Sequence, residues 1–240
     1  MANEEAESFD PAILSEQAAY YRARATEYDE WWFRTGRYDH GATFRAAWFA
    51  DVAAVEAALH GTLASRRPRT ALELACGTGL FTRHLAPHVT QLLALDASTE
   101  VLALNRARVA ANNVVYAQQD LFAWQPAARY DLVFMSFWLS HVPDERFDEF
   151  WRNVRNALVD GGVAYVVDSA YDRTSTAANH ARPDQKAGVV TRKLNDGRQF
   201  RIVKVFHKPA VLNARLAGLG LHAAISTTAR YFIHGTVTMA

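Results

Sequence analysis

A short apolar run followed by a glycine turn constrains this chain more than any other stretch. Residues 70–75 are mostly apolar with one acid, Glu73, as is typical of a short strand in the centre of a sheet. Gly77 and Gly79 follow where the chain must reverse, and glycine there permits positive φ and lets a ligand lie against the backbone. The helix predicted next begins with free N–H groups. We therefore expect a ligand platform at the carboxyl end of this strand.

Strand and helix signals alternate along the middle of the chain, from Thr70 to Asp168. The apolar patterns predict strands at 70–75, 91–96, 114–118, 131–135 and 162–168, and helices at 80–86, 98–110 and 144–158. Such alternation is typical of an α/β fold in which helices cover both faces of a parallel sheet. Two final strands, at 221–228 and 231–239, are expected to form an antiparallel pair at the sheet edge.

The N-terminal segment, residues 1–62, is predicted to be a helical lid. One helix is expected at 16–25 with Ser15 as its N-cap, and another at 43–60 that stops at Gly61. The aromatic residues at 28–33 either anchor this segment on the domain or line a ligand pocket, and the two uses are compatible.

A β-hairpin is predicted to be inserted at 186–206, because Asp196-Gly197 separates two β-rich runs. A final helix and strands occupy 207–240. We interpret residues 1–240 as one domain whose ligand-binding core spans 70–168.

Composition excludes several classes of protein. Half of the residues (50%) are hydrophobic, so a large core is available and disorder is not expected. A net charge of +1 gives no global electrostatic case for binding nucleic acid or an anionic membrane. Cys76 is the single cysteine, which excludes an internal disulfide, and no metal-binding motif is visible. With no signal peptide and no apolar run of about 20 residues, we expect a cytoplasmic protein without a membrane partner.

Three acids fall at or near the ends of the first three predicted strands: Glu73, Asp96 and Asp120. Asp96 lies 17 residues after Gly79, near the spacing at which an acid meets a ribose diol in nucleotide-binding units. The third glycine of a dinucleotide fingerprint is absent, and Glu73 would repel a pyrophosphate. These residues favour a positively charged nucleoside as the ligand.

The stretch Glu73-Leu74-Ala75-Cys76-Gly77-Thr78-Gly79 resembles motif I of the class I S-adenosylmethionine-dependent methyltransferases, in their small-molecule type. The resemblance covers residues 70–168 and implies a Rossmann-like, mostly parallel seven-stranded sheet whose final strand is antiparallel. It also implies S-adenosylmethionine (SAM) as cofactor and S-adenosylhomocysteine (SAH) as product. The implied activity is methyl transfer to an O, N, S or C nucleophile of a small molecule.

The resemblance also assigns roles to individual residues. The glycine turn would back the methionine part of the cofactor, Asp96 would hold the ribose hydroxyls, and Asp120 would face the adenine amino group with Leu121 against the ring. Ala75 stands where the family often has glycine, and alanine is tolerable there if its φ is negative. Arg24 is a possible partner for the cofactor's carboxylate. The residues assigned to the cofactor are Tyr21, Glu73, Ala75, Gly77, Thr78, Gly79, Asp96, Ala97, Asp120, Leu121, Ser136 and Trp138.

His141 is the candidate catalytic base, because an imidazole titrates near physiological pH and can remove a proton from a nucleophile. It is alternatively a residue that flanks the next helix or serves the cofactor. Trp138, just before it, either packs in the core or contacts cofactor or substrate. The abundant Trp and Tyr residues weakly favour an aromatic acceptor.

Two other functions stay open. Residues 182–208 hold eight Arg or Lys against two Asp, which we interpret as the solvated face of the hairpin, but which also allow an RNA substrate. The Asn/Asp-Pro-Pro-aromatic motif of relatives that methylate adenine or glutamine nitrogens is missing after the fourth strand, which weakens a DNA or protein amide target. The second alternative is a module that binds SAM without transferring the methyl group.

Overall fold

A seven-stranded mixed sheet lies at the centre of the computed structural model, which describes residues 10–180 and 188–240. The strands of the chain are β1 Thr70–Leu74, β2 Gln91–Asp96, β3 Val114–Gln118, β4 Tyr130–Ser136, β5 Leu158–Ser169, β6 Val189–Lys193, β7 Gln199–Val203, β8 Leu221–Thr227 and β9 Phe232–Met239. The central sheet has the order β3-β2-β1-β4-β5-β9-β8, and β9 runs antiparallel to both of its neighbours while the remaining pairs are parallel. This confirms the predicted Rossmann-like sheet with an antiparallel final strand.

Helices cover both faces of this sheet, as predicted. The helices of the described chain are α1 Ala12–Ala23, α2 Tyr28–Phe33, α3 Ala42–Arg66, α4 Thr82–Leu85, α5 Thr99–Val109, α6 Asp144–Asn156 and α7 Pro209–Gly218. Strand β4 shows how the two faces are built, because Val133 and Met135 pack with α6 and α7 whereas Leu132 and Phe134 pack with α3. This alternation is the two-residue period of a strand buried on both faces.

Several predicted helix limits are wrong. Helix α1 begins at Ala12 rather than residue 16, and Asp10, not Ser15, accepts a hydrogen bond from a first-turn N–H (Ala12, 3.0 Å). Helix α3 continues through Gly61 to Arg66, because burial of the face that includes Leu63 outweighs the low helix propensity of one glycine.

The elements next to the glycine turn and after α6 also differ from the prediction. Helix α4 has only four residues, Thr82–Leu85, and gives way to a 3₁₀ turn, Ala86–His88, that contains a proline. Helix α6 ends at Asn156, and β5 starts at Leu158, earlier than the predicted residue 162, with an irregular register against Tyr130 and Leu132.

Strands β6 and β7 form the predicted hairpin as a separate two-stranded antiparallel sheet. Helix α1 packs against it through a small cluster of Tyr20, Val190, Leu194 and Ile202. Residues 186 and 187 of the predicted hairpin lie outside the described residues. The N-terminal helix and the hairpin therefore pack together.

Helix length and hydropathy in the described part of the chain leave no candidate for a membrane-crossing segment.

Candidate functional site

The glycine turn after β1 is held by the neighbouring strand and by α5. The Asp96 carboxylate, at the end of β2, accepts hydrogen bonds from the backbone N–H of Gly77 and of Ser98, each at 3.0 Å. From below, the Asn105 amide donates to the carbonyl oxygens of Cys76 (3.2 Å) and Gly77 (3.1 Å). Burial raises the pKa of Asp96, although these N–H groups oppose the rise. The turn is thus a preformed backbone loop with one carboxylate beside it.

Backbone geometry explains the glycines of the turn. The φ of Gly77 is +54° and that of Gly79 is +90°, both in the region that favours glycine. A Cβ on Gly79 would lie 2.8 Å from Asn105 Oδ1, whereas one on Gly77 would meet only the Ala75 carbonyl oxygen, at 4.0 Å. Ala75 itself has φ +52°, so the negative φ under which alanine would be tolerated there is not observed. Alanine in this conformation costs roughly 1–2 kcal/mol.

A large outer cavity of about 670 Å³ opens in front of this turn. Its floor comes from the carboxyl ends of the central strands, and α1 forms another wall through Leu14, Gln17 and Ala18. Nine of the twelve residues assigned to the cofactor from the sequence line this cavity: Tyr21, Ala75, Gly77, Asp96, Ala97, Asp120, Leu121, Ser136 and Trp138. The sequence motifs therefore converge on one cavity at the expected edge of the sheet.

The other three assigned residues lie behind the turn. Gly79 packs against Asn105, and the Thr78 hydroxyl donates to Asp29 of α2 (2.6 Å) rather than into the cavity. Glu73 is 1% exposed, and neither carboxylate oxygen has a hydrogen bond of ordinary geometry among the described residues. Burial raises the pKa of Glu73 to about 8, against a smaller lowering by the Thr82 hydroxyl. These residues shape and support the turn from its far side.

A second, inner cavity of about 60 Å³ lies beside the outer one. Tyr21, Tyr28, Phe137 and His141 line both cavities, so the two meet at these four side chains. The rest of the inner wall comes from α1, the hairpin and the loop at Ser175 and Thr176. A ligand in the inner cavity would therefore face a ligand in the outer cavity across this junction.

Three buried cations, Arg24, Arg192 and Lys204, line the inner cavity, and no Asp or Glu among the described residues joins them on its wall. Arg24 donates to the Tyr38 hydroxyl (3.2 Å), and its Nε lacks a hydrogen-bond partner. Arg192 donates to Thr176 Oγ1 (2.9 Å).

Lys204 donates to the hydroxyls of Ser140 (2.8 Å) and Ser169 (3.2 Å), and the nearest carboxylate, Asp168, is 3.8 Å away. Burial lowers the pKa of Lys204 to about 8; Asp168 opposes this, while Arg192 and Arg24 add to it. The inner cavity therefore concentrates positive charge that protein carboxylates balance only in part.

His141 lies at the junction of the two cavities and is tied to Tyr21. Its Nδ1 is 2.7 Å from the Val203 carbonyl oxygen, which only accepts, so the hydrogen-bond pattern assigns the ring proton to Nδ1. Nε2 then accepts a hydrogen bond from the Tyr21 hydroxyl at 2.6 Å. Burial, followed by the charge of Lys204, holds the pKa of His141 well below its usual range. The imidazole is neutral, and both of its nitrogens are engaged.

Other predicted side chains occupy different places. Arg24 reaches the inner cavity rather than lining the outer one. Trp138 stands in the wall of the outer cavity with its ring centroid 5.0 Å from that of Phe122. Cys76 is buried, and burial raises its thiol pKa well above the ordinary value. No group of three or more His, Cys, Asp or Glu side chains in the described ranges is placed to hold a metal ion.

The basic hairpin is the clearest difference from the sequence interpretation. Arg192 and Lys204 are buried and face the inner cavity instead of solvent, whereas Arg198 pairs with Asp196 and Arg201 pairs with Glu16. Arg182 and Lys186 lie outside the described residues. The sequence did carry a signal for the two buried cations, since Arg192 stands two positions after Val190, and Lys204 two positions after Ile202, in β-rich runs.

Known methyltransferases are similar to this chain in sequence and in fold. A family model described as a methyltransferase domain matches residues 71–162. The solved structure of DhpI in complex with SAH is 39% identical, covers 97% of this chain and 99% of its own, and superposes with a TM-score of 0.76. A DhpI–SAM–HEP complex is 38% identical over 96% and 99% of the two chains, with a TM-score of 0.77.

A curated relative, trans-aconitate 2-methyltransferase of Azoarcus sp. (strain BH72), is 35% identical over 111 residues, or 44% of this chain. The chain spans only 42% of the length of that relative.

Proposed function

Because the chain belongs to the class I SAM-dependent methyltransferases, we propose that it methylates a small molecule that carries an acidic group. The outer cavity holds SAM, and the inner cavity holds the acid. The observation that carries the proposal is the set of three buried cations, Arg24, Arg192 and Lys204, on the wall of the inner cavity. SAM supplies an electrophilic methyl group on a sulfonium, and the acceptor supplies an O, N, S or C nucleophile.

The proposed cofactor residues act through hydrogen bonds and contact area. Asp96 already accepts two backbone N–H groups and turns its carboxylate toward the outer cavity, where ribose hydroxyls can add to its bonds. Asp120 and Leu121 line the outer cavity but not the inner one and suit the adenine. Tyr28 and Phe137 stand at the junction, where aromatic faces stabilise a sulfonium by roughly 0.5–2 kcal/mol.

An acidic acceptor explains what the inner cavity is built from. Burying a cation without a partner is costly, because its hydration is lost and nothing replaces it. An acceptor anion would receive hydrogen bonds from Arg24 and Arg192, whose planar guanidinium groups suit an oxyanion. The cavity of about 60 Å³ has room for about four water-sized groups at roughly 15 Å³ each, the size of a small oxyanion. The acid named for the curated relative, trans-aconitate, belongs to the same chemical class.

Tyr21 and His141 have a positioning role at the junction. The Tyr21 hydroxyl is oriented by its hydrogen bond to His141 Nε2, and His141 is fixed in turn by the Val203 carbonyl. Where the nucleophile carries a proton, the Tyr21 oxygen accepts that proton while the Tyr21 hydroxyl proton passes to His141 Nε2. The transfer runs through Tyr21 because its hydroxyl already occupies Nε2. An ionised oxygen nucleophile needs no such path. Holding the two reactants in line is then the main source of the rate enhancement.

The RNA alternative draws little support from the hairpin. Four of its cations are either buried, as Arg192 and Lys204 are, or paired with acids, as Arg198 and Arg201 are, whereas Lys193 is exposed. A basic surface of unpaired side chains is the usual footprint of a nucleic-acid site, and these four residues do not provide one.

The proposal is tested by measuring SAH release with SAM and a panel of small acceptors. Each acid in the panel, a carboxylate or a phosphate monoester, is matched with its neutral amide or ester. We expect turnover with one or more acids and none with the neutral partners. Arg192→Gln should raise the acceptor KM at least tenfold, whereas Arg198→Gln, on the exposed side of the same hairpin, should leave it unchanged.

Two results would contradict this function. Equal turnover of an acid and its neutral partner would remove the role assigned to the cations. Tight SAM binding with no turnover of any small acceptor would favour the alternative of a module that binds SAM without transferring the methyl group.

A further inference from the structure

The three cations of the inner cavity are all carried by the elements that cover the site, not by the central sheet. Arg24 is the residue after α1, Arg192 is on β6, and Lys204 directly follows β7. We call residues 12–24 together with 189–204 the acceptor lid. The central sheet and its loops contribute aromatic and hydroxyl groups to the same cavity, including Phe137 and Ser169.

The two parts of the acceptor lid are tied to each other. Gln17 of α1 accepts a hydrogen bond from the backbone N–H of Val203 (3.0 Å), and Arg201 of β7 donates to the Glu16 carboxylate (2.9 Å). The buried Tyr20 ring lies 5.8 Å from that of Phe200. These contacts favour movement of α1 and the hairpin as one unit.

The acceptor lid also forms a wall of the outer cavity. Leu14, Gln17, Ala18 and Tyr21 of α1 line it together with Ala75 and Gly77 of the glycine turn. A change in the position of α1 therefore changes the cofactor site and the acceptor site together. Any ligand that favours the closed lid in one cavity favours it for the other.

Electrostatic repulsion opposes closure when the inner cavity holds no anion. Arg24, Arg192 and Lys204 line one cavity of about 60 Å³, so their positive charges are held close together, and the charges of Arg192 and Arg24 add to the lowering of the Lys204 pKa by burial. Few groups balance them, since Asp168 stands 3.8 Å from Lys204 and the other contacts are hydroxyls, an imidazole and aromatic rings. An anion placed among the three would turn this repulsion into attraction.

We propose that an oxyanion bound by Arg24, Arg192 and Lys204 closes the acceptor lid and thereby tightens cofactor binding in the neighbouring cavity. This coupling rests on the proposed function. The acid is then both a substrate and a regulator of cofactor affinity, because SAM is fully enclosed only after the acid has bound. The favoured sequence is cofactor first and acid second, and the lid reopens when the anion leaves the three cations.

The test is calorimetry of SAH binding with and without inorganic phosphate, at constant ionic strength set with chloride. Saturating phosphate should lower the SAH Kd at least about fivefold, the lower end of typical coupling, and SAH should tighten phosphate binding by the same factor. Arg192→Gln and Lys204→Gln should each abolish the coupling, and Arg198→Gln should keep it. Thermal unfolding of each variant confirms that it is folded.

The outcomes separate the coupling from the proposed function. Phosphate that binds without any change in the SAH Kd would overturn the coupling and leave an acid-binding cavity intact. Phosphate that does not bind at all would overturn both. A coupling that survives in Arg192→Gln and Lys204→Gln would also overturn the inference, because it would arise elsewhere.

Discussion

Replacing Gly77 by alanine separates the two reasons for which glycine can occupy a ligand-binding turn. Both Gly77 and Gly79 have positive φ, yet only Gly77 lines the outer cavity. A Cβ on Gly77 would have no protein atom closer than 4.0 Å, so it would project into space that we assign to the cofactor. We therefore expect Gly77→Ala to harm cofactor binding far more than folding, and Gly79→Ala to do the reverse.

The magnitudes follow from the neighbours of each glycine. For Gly77→Ala the cost to the free energy of unfolding is the left-handed conformation alone, roughly 1–2 kcal/mol, and Ala75 and Ala110 already bear such a φ in this chain. For Gly79→Ala the new Cβ would also lie 2.8 Å from Asn105 Oδ1.

Asn105 cannot yield freely, because it is buried and its amide donates to Cys76 O, Gly77 O and Thr82 Oγ1. Disturbing this network adds about 1–3 kcal/mol to the conformational cost.

Urea unfolding and calorimetry of SAH on the same two variants check the prediction. We expect Gly77→Ala to lose no more than about 2 kcal/mol of stability while its SAH Kd rises at least tenfold. Gly79→Ala should lose about 2–5 kcal/mol. If Gly77→Ala binds SAH as the wild type does, the glycine turn does not contact the cofactor and the assignment of the outer cavity fails.

Three further changes test other parts of the site. Asp96→Ala should weaken SAH binding at least about 100-fold, since each of the two hydrogen bonds from the ribose hydroxyls to the charged group contributes about 1.5–3 kcal/mol, and an unchanged Kd by calorimetry would refute the ribose assignment. Raising the pH through about 8 should raise the acceptor KM, because the Lys204 ammonium is charged below its pKa of about 8 and neutral above it; steady-state kinetics should show no such step in Lys204→Gln. Glu73→Gln should gain stability over the wild type between pH 5 and 8, as measured by urea unfolding. The raised pKa of Glu73 means that the stability from its neutral carboxyl is present below its ordinary 4.5 and lost as the pH rises through about 8, an effect on the order of 5 kcal/mol. If the difference in unfolding free energy between Glu73→Gln and the wild type stayed constant from pH 5 to 8, Glu73 would be ionised in the folded state over that whole range.

The central sheet, and the edge of it that carries the outer cavity, were predictable because their signals are local. The strand that contains Glu73, the two glycines of the turn and Asp96 each carry their meaning within a few residues, and parallel strands bring such positions to one edge. Helix ends were less predictable, since tertiary burial overrides local propensity. Helix α3 passes Gly61 for this reason, with Leu59 and Leu63 buried on either side of it.

The inner cavity was not predictable from local signals, because it joins segments far apart in the chain. Arg24 and Lys204 meet only after α1 packs on the hairpin, and nothing in either segment specifies that contact. A basic residue in a strand is more often exposed than buried, which led to the wrong interpretation of Arg192. Its two-residue offset from Val190 was the available clue. The link between Tyr21 and His141 depends on the same packing and gives His141 a neighbour that the sequence did not suggest.

A crystal structure with SAH and an acid substrate would test the division of labour between the two cavities most directly. We expect SAH in the outer cavity, with its ribose on Asp96 and its sulfur facing Tyr28 and Phe137, and the acid in the inner cavity in contact with Arg24, Arg192 and Lys204. An acid bound elsewhere, with these three cations making no contact to it, would refute the assignment of the inner cavity to the acceptor.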